Sequence, residues 1–135
     1  MKALLFNGSP RRDGNTASLL QKMIQVFDSN DVDSEFIQLG GQLLRGCTAC
    51  MTCKETQDER CFYDDDAINE YIQKMKQADA IVIGSPVYFS QMTTETKALI
   101  DRCGYTIGAN GKLLSRKIGA GVAVARRAGM MPTFH

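Results

Sequence analysis

Residues 3–16 read Ala3-Leu4-Leu5-Phe6-Asn7-Gly8-Ser9-Pro10-Arg11-Arg12-Asp13-Gly14-Asn15-Thr16, and the order of residue types in this stretch decides the fold. Ala3 to Phe6 is an uninterrupted apolar run, the pattern of a strand covered on both faces. Asn7-Gly8 ends it. A polar loop with a second glycine runs from Ser9 to Asn15. Leu19, Leu20, Met23, Ile24 and Phe27 then recur at the spacing of a helix with one buried stripe. Asn15 or Thr16 is placed to cap that helix. A doubly buried strand feeding a helix through a short loop is the opening unit of a parallel sheet.

The rest of the chain repeats the unit. Glu35-Phe36-Ile37-Gln38-Leu39 alternates and predicts a second strand, ended by Gly40-Gly41. A cysteine-rich loop occupies residues 46–63. Asp64-Asp65-Asp66 follows, placed to cap a helix whose stripe is Ile68, Tyr71, Ile72 and Met75. Ala80 to Gly84 is a third strand, ended by Ser85-Pro86. Thr94 to Cys103 predicts a helix, Gly108 to Gly111 a turn, and Ile118 to Ala125 a glycine-containing fourth strand. The expectation is an α/β, doubly wound parallel sheet in three layers. It forms one domain over residues 1–135, with residues 46–63 as an insertion. Ligands of such sheets bind outside the carboxyl ends of the strands, near the switch point. The loops there are Gly8 to Thr16, Ser85 to Gln91 and Ala125 to Met131.

Composition narrows the function. The 135 residues are 44% hydrophobic and 23% charged, with a net charge of +1. That balance excludes disorder and offers no basic field for nucleic acid. No apolar run reaches the roughly 18 residues of a membrane span, and the N-terminus lacks a secretory cleavage site. A soluble, cytoplasmic protein is expected. Four of the five cysteines, Cys47, Cys50, Cys53 and Cys61, fall within fifteen residues. In a reducing compartment such a cluster points to metal or redox chemistry rather than disulfides. Cys103, on a predicted helix, reads as a small packed residue. The single histidine, His135, builds neither a metal site nor a triad.

The first loop joins a buried strand to a helix N-terminus, where free N–H groups and the helix dipole meet an anion. Ser9, Asn15 and Thr16 add donors, and Arg11 or Arg12 adds charge. A phosphate monoester suits this chemistry; an ordinary polar turn is the alternative. There is no Gly-Lys-Ser/Thr ending, no Gly-x-Gly-x-x-Gly spacing and no cysteine in the loop. A nucleotide-triphosphatase loop, a dinucleotide fingerprint and a cysteine phosphatase are therefore excluded. In the second loop, Pro86 stiffens the turn and Tyr88 and Phe89 bring two aromatics to the ligand edge. They suit a flat heteroaromatic ring, or else pack beneath the loop.

Taken together, Gly8-Ser9-Pro10-Arg11-Arg12-Asp13-Gly14-Asn15-Thr16, Gly46-Cys47-Thr48-Ala49-Cys50-Met51-Thr52-Cys53, Asp64-Asp65 and Gly84-Ser85-Pro86-Val87-Tyr88-Phe89 resemble the flavodoxin-like NAD(P)H-dependent FMN reductase family. The likeness is greatest to its iron–sulfur flavoprotein branch. The resemblance implies that Ser9, Arg11, Arg12, Asn15 and Thr16 hold the FMN phosphate. It implies that Pro86, Val87, Tyr88 and Phe89 lie along the isoalloxazine and ribityl chain. It further implies that the loop after the fourth strand, with Ala125, Arg126, Arg127 and Gly129, approaches the flavin. Arg126 and Arg127 alternatively meet a nicotinamide phosphate or stand in solvent.

The cysteine spacing, C-x2-C-x2-C-x7-C, lets three closely spaced thiolates wrap one centre and a fourth close it. It resembles the compact [4Fe–4S] motif of iron–sulfur flavoproteins, with Cys47, Cys50, Cys53 and Cys61 as ligands. Metal-free thiols and a tetrahedral zinc site are the alternatives.

The resemblance implies an FMN-dependent oxidoreductase in which the flavin carries the chemistry. NAD(P)H is the expected donor, and a quinone, flavin or other small molecule the acceptor. A cluster would instead relay electrons between a ferredoxin-like partner and FMN. A non-catalytic electron carrier and a thiol or flavin redox sensor are the rival classes. Family resemblance implies a homodimer or homotetramer. The resembled fold has five strands, and only four are legible. With no helix expected over Met130 to His135, the chain reads as lacking the last strand and its helix. Otherwise a partner chain covers the open edge.

Overall fold

A computed structural model describes residues 1–134; His135 lies outside the described residues. Strands β1 (Lys2–Asn7), β2 (Asp33–Gln38), β3 (Ala80–Pro86) and β4 (Ile118–Val124) form one sheet in the order β2-β1-β3-β4. All neighbours run parallel. Lys2 stands opposite Asp33, Ala3 opposite Ala80, and Ala80 opposite Ile118. Helices α1 (Asn15–Asp28), α3 (Ile68–Gln77) and α4 (Thr94–Ala109) make the crossovers. The predicted three-layer α/β fold is the one observed.

The period-two alternation of the strands divides the core. Ala3, Leu5 and Val82 point toward Leu20, Met23, Ile24 and Phe27 of α1. Leu4, Phe6 and Ile81 point the other way, toward Ile68, Tyr71, Ile72 and Met75 of α3 and Leu99 and Cys103 of α4. The Phe6 and Tyr71 rings meet edge to face, with centroids 5.5 Å apart. Because β1 carries both sets, all of Ala3 to Phe6 is fully buried. Burial also pushes the Cys103 thiol up to about 12, in keeping with a packed, inert side chain.

Several local expectations need correction. Asn15 and Thr16 do not cap α1: they lie inside it, and the N-cap is the extended Gly14, which has no side-chain cap hydrogen bond. Helix α4 runs six residues beyond Cys103, to Ala109. Gly104 and Gly108 sit on its exposed face, so the buried Leu99, Cys103 and Thr106 carry the helix past them. A short helix α2 (Thr52–Thr56) interrupts the cysteine loop, and α5 (Met130–Phe134) follows β4 where no helix was expected. In α5, Thr133 is buried and Phe134 packs over Gly121, where a Cβ would approach its ring to 2.9 Å. Of the Asp64–Asp66 cap, Asp66 does accept the Ile68 N–H at 3.1 Å, but its other oxygen pairs with Arg102. Among the described residues no helix is long and apolar enough to cross a membrane.

Phe6→Ala removes the ring that joins β1 to α3. It is expected to cost about 3–5 kcal/mol, read as a lower urea midpoint at unchanged slope.

Candidate functional site

The crevice where β1 and β3 lie side by side is organised by buried polar groups. Asn7 ends β1 wholly buried. Its Nδ2 donates to Gln38 Oε1 at 2.7 Å and to the Arg11 carbonyl at 3.4 Å, and its Oδ1 accepts the Ser9 N–H at 3.2 Å. Gln38 Nε2 donates to the carbonyls of Ser9 (2.7 Å) and Gly40 (2.8 Å). Ser9 Oγ accepts the Arg11 N–H at 3.2 Å. The Gly8 N–H meets Gly84 O at 2.7 Å, and Thr93 Oγ1 donates to Gly8 O at 2.8 Å. A Cβ on Gly8 would lie 2.0 Å from Thr96 Oγ1 and 2.8 Å from Gly84 O, so this close approach requires glycine.

The loop so fixed opens onto a cavity of about 380 Å³, within the range of about 300–1,000 Å³ typical of small-molecule sites. Ser9, Arg11, Asn15 and Thr16 line it from the first loop, and Pro86, Val87 and Tyr88 from the second. Val124, Ala125 and Arg126 complete it. The uncapped N-terminus of α1 borders this cavity. Free N–H groups, the hydroxyls of Ser9 and Thr16 and the Arg11 guanidinium offer one anion many donors. That donor set fits the phosphate of FMN. The Val87 N–H donates to Val124 O at 2.8 Å, joining the second and third loops.

Three expected flavin residues do not line the cavity. Arg12 is exposed in solvent. Phe89 is fully exposed because it and Ser90 form a left-handed turn, at φ 49° and 62°, between the paired Tyr88 and Gln91. Gly129, at φ 91°, acts from behind: a Cβ there would lie 2.8 Å from Val87 Cγ1. Arg127 is exposed as well. Val124 and the supporting Asn7, Gln38, Thr93 and Thr96 were absent from the sequence-based set. A buried polar residue at the end of an apolar strand, such as Asn7, is the one signal that pointed to them.

Cys47, Cys50, Cys53 and Cys61 line a second, smaller cavity of about 20 Å³, and no residue lines both cavities. The four thiols converge without forming a ligand shell. Among the described residues no group of three or more His, Cys, Asp or Glu is placed to hold a metal ion. Cys47 and Cys50 remain exposed, and Cys53 and Cys61 are half-buried. The loop is nonetheless shaped around its sulfurs. Ala49 (φ 52°) and Met51 (φ 64°) adopt left-handed backbone between the cysteines, a strain that persists where surroundings enforce it. The Ala49 N–H donates to Cys47 Sγ at 3.4 Å, and Arg102 Nε to Cys61 Sγ at 3.3 Å. The Thr52 hydroxyl and N–H beside Cys50 hold its thiol below the ordinary value. Four thiols on one cavity, three of them supplied with hydrogen-bond donors, are the donor set that thiolate ligation of an iron–sulfur cluster uses.

In metal-free protein, alkylation with iodoacetamide is expected to label Cys47 and Cys50 first. Cys103, buried and with its thiol held high, should label only on denaturation. Peptide mass spectrometry resolves the order.

Comparison with known proteins places this geometry. The profile of the NADPH-dependent FMN reductase family matches residues 1–135. An iron–sulfur flavoprotein of Methanocaldococcus jannaschii is 38% identical over 125 residues, which span 92% of this chain and 62% of the relative. One of Archaeoglobus fulgidus is 36% identical over 116 residues, 86% of this chain and 55% of the relative. The chain thus spans little more than half the length of these curated relatives. Among solved structures, the NAD(P)H:quinone oxidoreductase of Methanothermobacter marburgensis superposes with a TM-score of 0.75 at 16% identity. It covers 95% of this chain and 65% of that one. RosB superposes with a TM-score of 0.74 at 16% identity, covering 98% and 55%. These two likenesses concern the fold, which is flavodoxin-like. The profile match along the whole sequence shows that the chain belongs to the NADPH-dependent FMN reductase family.

Proposed function

We propose that the chain binds FMN in the β1–β3 crevice and serves as the flavin-binding portion of an iron–sulfur flavoprotein oxidoreductase. The single observation that carries this reading is the meeting of three separate loops on one cavity beside the uncapped start of α1. When bound, FMN supplies hydride and single-electron chemistry, and the protein supplies binding, orientation and electrostatics. Ser9, Thr16, Arg11 and the first N–H groups of α1 hold the phosphate. Pro86, Val87 and Tyr88, with Val124 and Ala125 beside them, would line the rest of the flavin site. Among the described residues lining the crevice, the Tyr88 hydroxyl is the side chain that could exchange a proton with a bound ligand.

Two donors suit this arrangement. NAD(P)H as donor and a quinone, flavin or other small molecule as acceptor follow from the family. A ferredoxin-like partner, delivering single electrons, follows from the cysteine quartet and from relatives that are named iron–sulfur flavoproteins. Cys47, Cys50, Cys53 and Cys61 would hold a [4Fe–4S] cluster, which supplies single-electron transfer. The quartet favours the ferredoxin-like donor, because a hydride donor reduces flavin directly and needs no cluster. Exposed Phe89, beside the crevice, is available to complete the site in a homodimer or homotetramer.

Anaerobic purification tests the reading. The expected spectrum shows flavin bands on a broad iron–sulfur shoulder, bleached by reduced ferredoxin. Bleaching of iron-free protein by NAD(P)H would assign it to the hydride-accepting reductases instead. A colourless chain that takes up no FMN would contradict both.

A further inference from the structure

Arg102 is the largest fully buried side chain of the described residues, and the crevice makes no use of it. A buried guanidinium is costly unless its donors are matched. Nη1 donates to the Arg45 carbonyl at 3.2 Å and pairs with Asp66 Oδ2. Nη2 donates to the Tyr63 carbonyl at 2.9 Å, and Nε to Cys61 Sγ at 3.3 Å. Asp66, whose side chain is 5% exposed, also accepts the N–H groups of Arg45 (3.3 Å) and Ile68 (3.1 Å). The partners sit at the two ends of the cysteine loop. Arg45 precedes Cys47 by two residues, while Cys61, Tyr63 and Asp66 close the segment. One side chain of α4 therefore clamps both ends of the loop.

The sulfur contact is the informative one. Asp66 and the two carbonyls already supply acceptors to Nη1 and Nη2. A neutral thiol is a weak acceptor, whereas a sulfur carrying negative charge is a strong one. The Nε–H thus suits Cys61 as a charged ligand rather than as a packed thiol.

We propose that Arg102 is a positioning residue for the cysteine site. It holds Cys61 Sγ facing the cavity as the fourth ligand, and it stabilises the reduced form of a cluster held there. This rests on the reading that the quartet holds an iron–sulfur cluster. Reduction adds negative charge, and a cationic N–H donor beside a ligand sulfur favours that charge, raising the reduction potential.

The test uses the chain reconstituted anaerobically with ferrous iron and sulfide. Iron content, release to a chelator, midpoint potential by electron paramagnetic resonance and far-UV circular dichroism are followed. Arg102→Lys keeps the charge but loses the Nε donor and the planar fork. A second variant, Arg102→Met with Asp66→Leu, replaces the buried pair by apolar side chains, an exchange that folded proteins tolerate. Both are expected to keep native dichroism, release iron faster and show a midpoint potential shifted to more negative values. Wild-type potential and release in both would overturn the proposal and leave the cluster reading intact. Loss of folded structure in both would reduce Arg102 to a fold determinant and also overturn it. A wild-type chain that takes up no iron and sulfide would overturn the cluster reading, and the proposal with it.

Discussion

The hydrogen bond from the Gly8 N–H to Gly84 O, 2.7 Å long, is the contact on which the site depends. It extends the β1–β3 ladder one residue past the end of β1, while β3 runs on to Pro86. There the chain leaving β1 turns toward α1 on one face, while the chain leaving β3 leads to α4 on the other. Two connections diverging from adjacent strands leave a crevice between them, as at the switch point of any doubly wound sheet. Glycine at both positions lets neighbouring elements pack closely around the contact. A Cβ on Gly84 would run into Leu20 at 2.9 Å, as one on Gly8 would run into Thr96. Asn7, Gln38 and Thr93 then satisfy the polar groups that this close approach buries. The loop's backbone is hydrogen-bonded in place without a ligand, an arrangement that lowers the ordering cost of binding.

Sequence pattern made part of this legible. β1 and β3 are covered on both faces, so their apolar runs are unbroken and stand out. The three crevice loops are marked by the residue types that follow each strand. What escaped the pattern depends on partners distant in sequence. Asn7 and Gln38 are 31 residues apart, and Thr93 reaches Gly8 across 85. Neither pairing leaves a periodic trace. The helices α2 and α5 are five residues each, too short to show a stripe. Phe89 read as a ligand aromatic because its residue type was right; its left-handed backbone, which turns it into solvent, is invisible in the type alone.

Arg102 shows the same limit from the opposite side. Arginine is a residue type that is seldom fully buried, yet here it is sealed against Asp66, Cys61 and two carbonyls. The cysteine loop is long and, apart from the five residues of α2, irregular, so it needs such an anchor. Its other ties to α4 are Asn110 with Cys53 O and Glu59 N–H, and Gln57 with Ala109 O. The loop and the crevice are thus held by different elements through different chemistry: a glycine-mediated backbone approach for one, a buried ion pair for the other.

The first loop is central to the proposed function as a phosphate cradle. Binding of FMN and of riboflavin to the flavin-free chain, each followed by quenching of flavin fluorescence, tests this directly. The two ligands share the ring and ribityl chain and differ in the phosphate alone. Several charge-assisted hydrogen bonds to that group predict that FMN binds at least about 100-fold more tightly than riboflavin. Equal affinities would contradict the assignment of the crevice, whatever the ring contacts contribute.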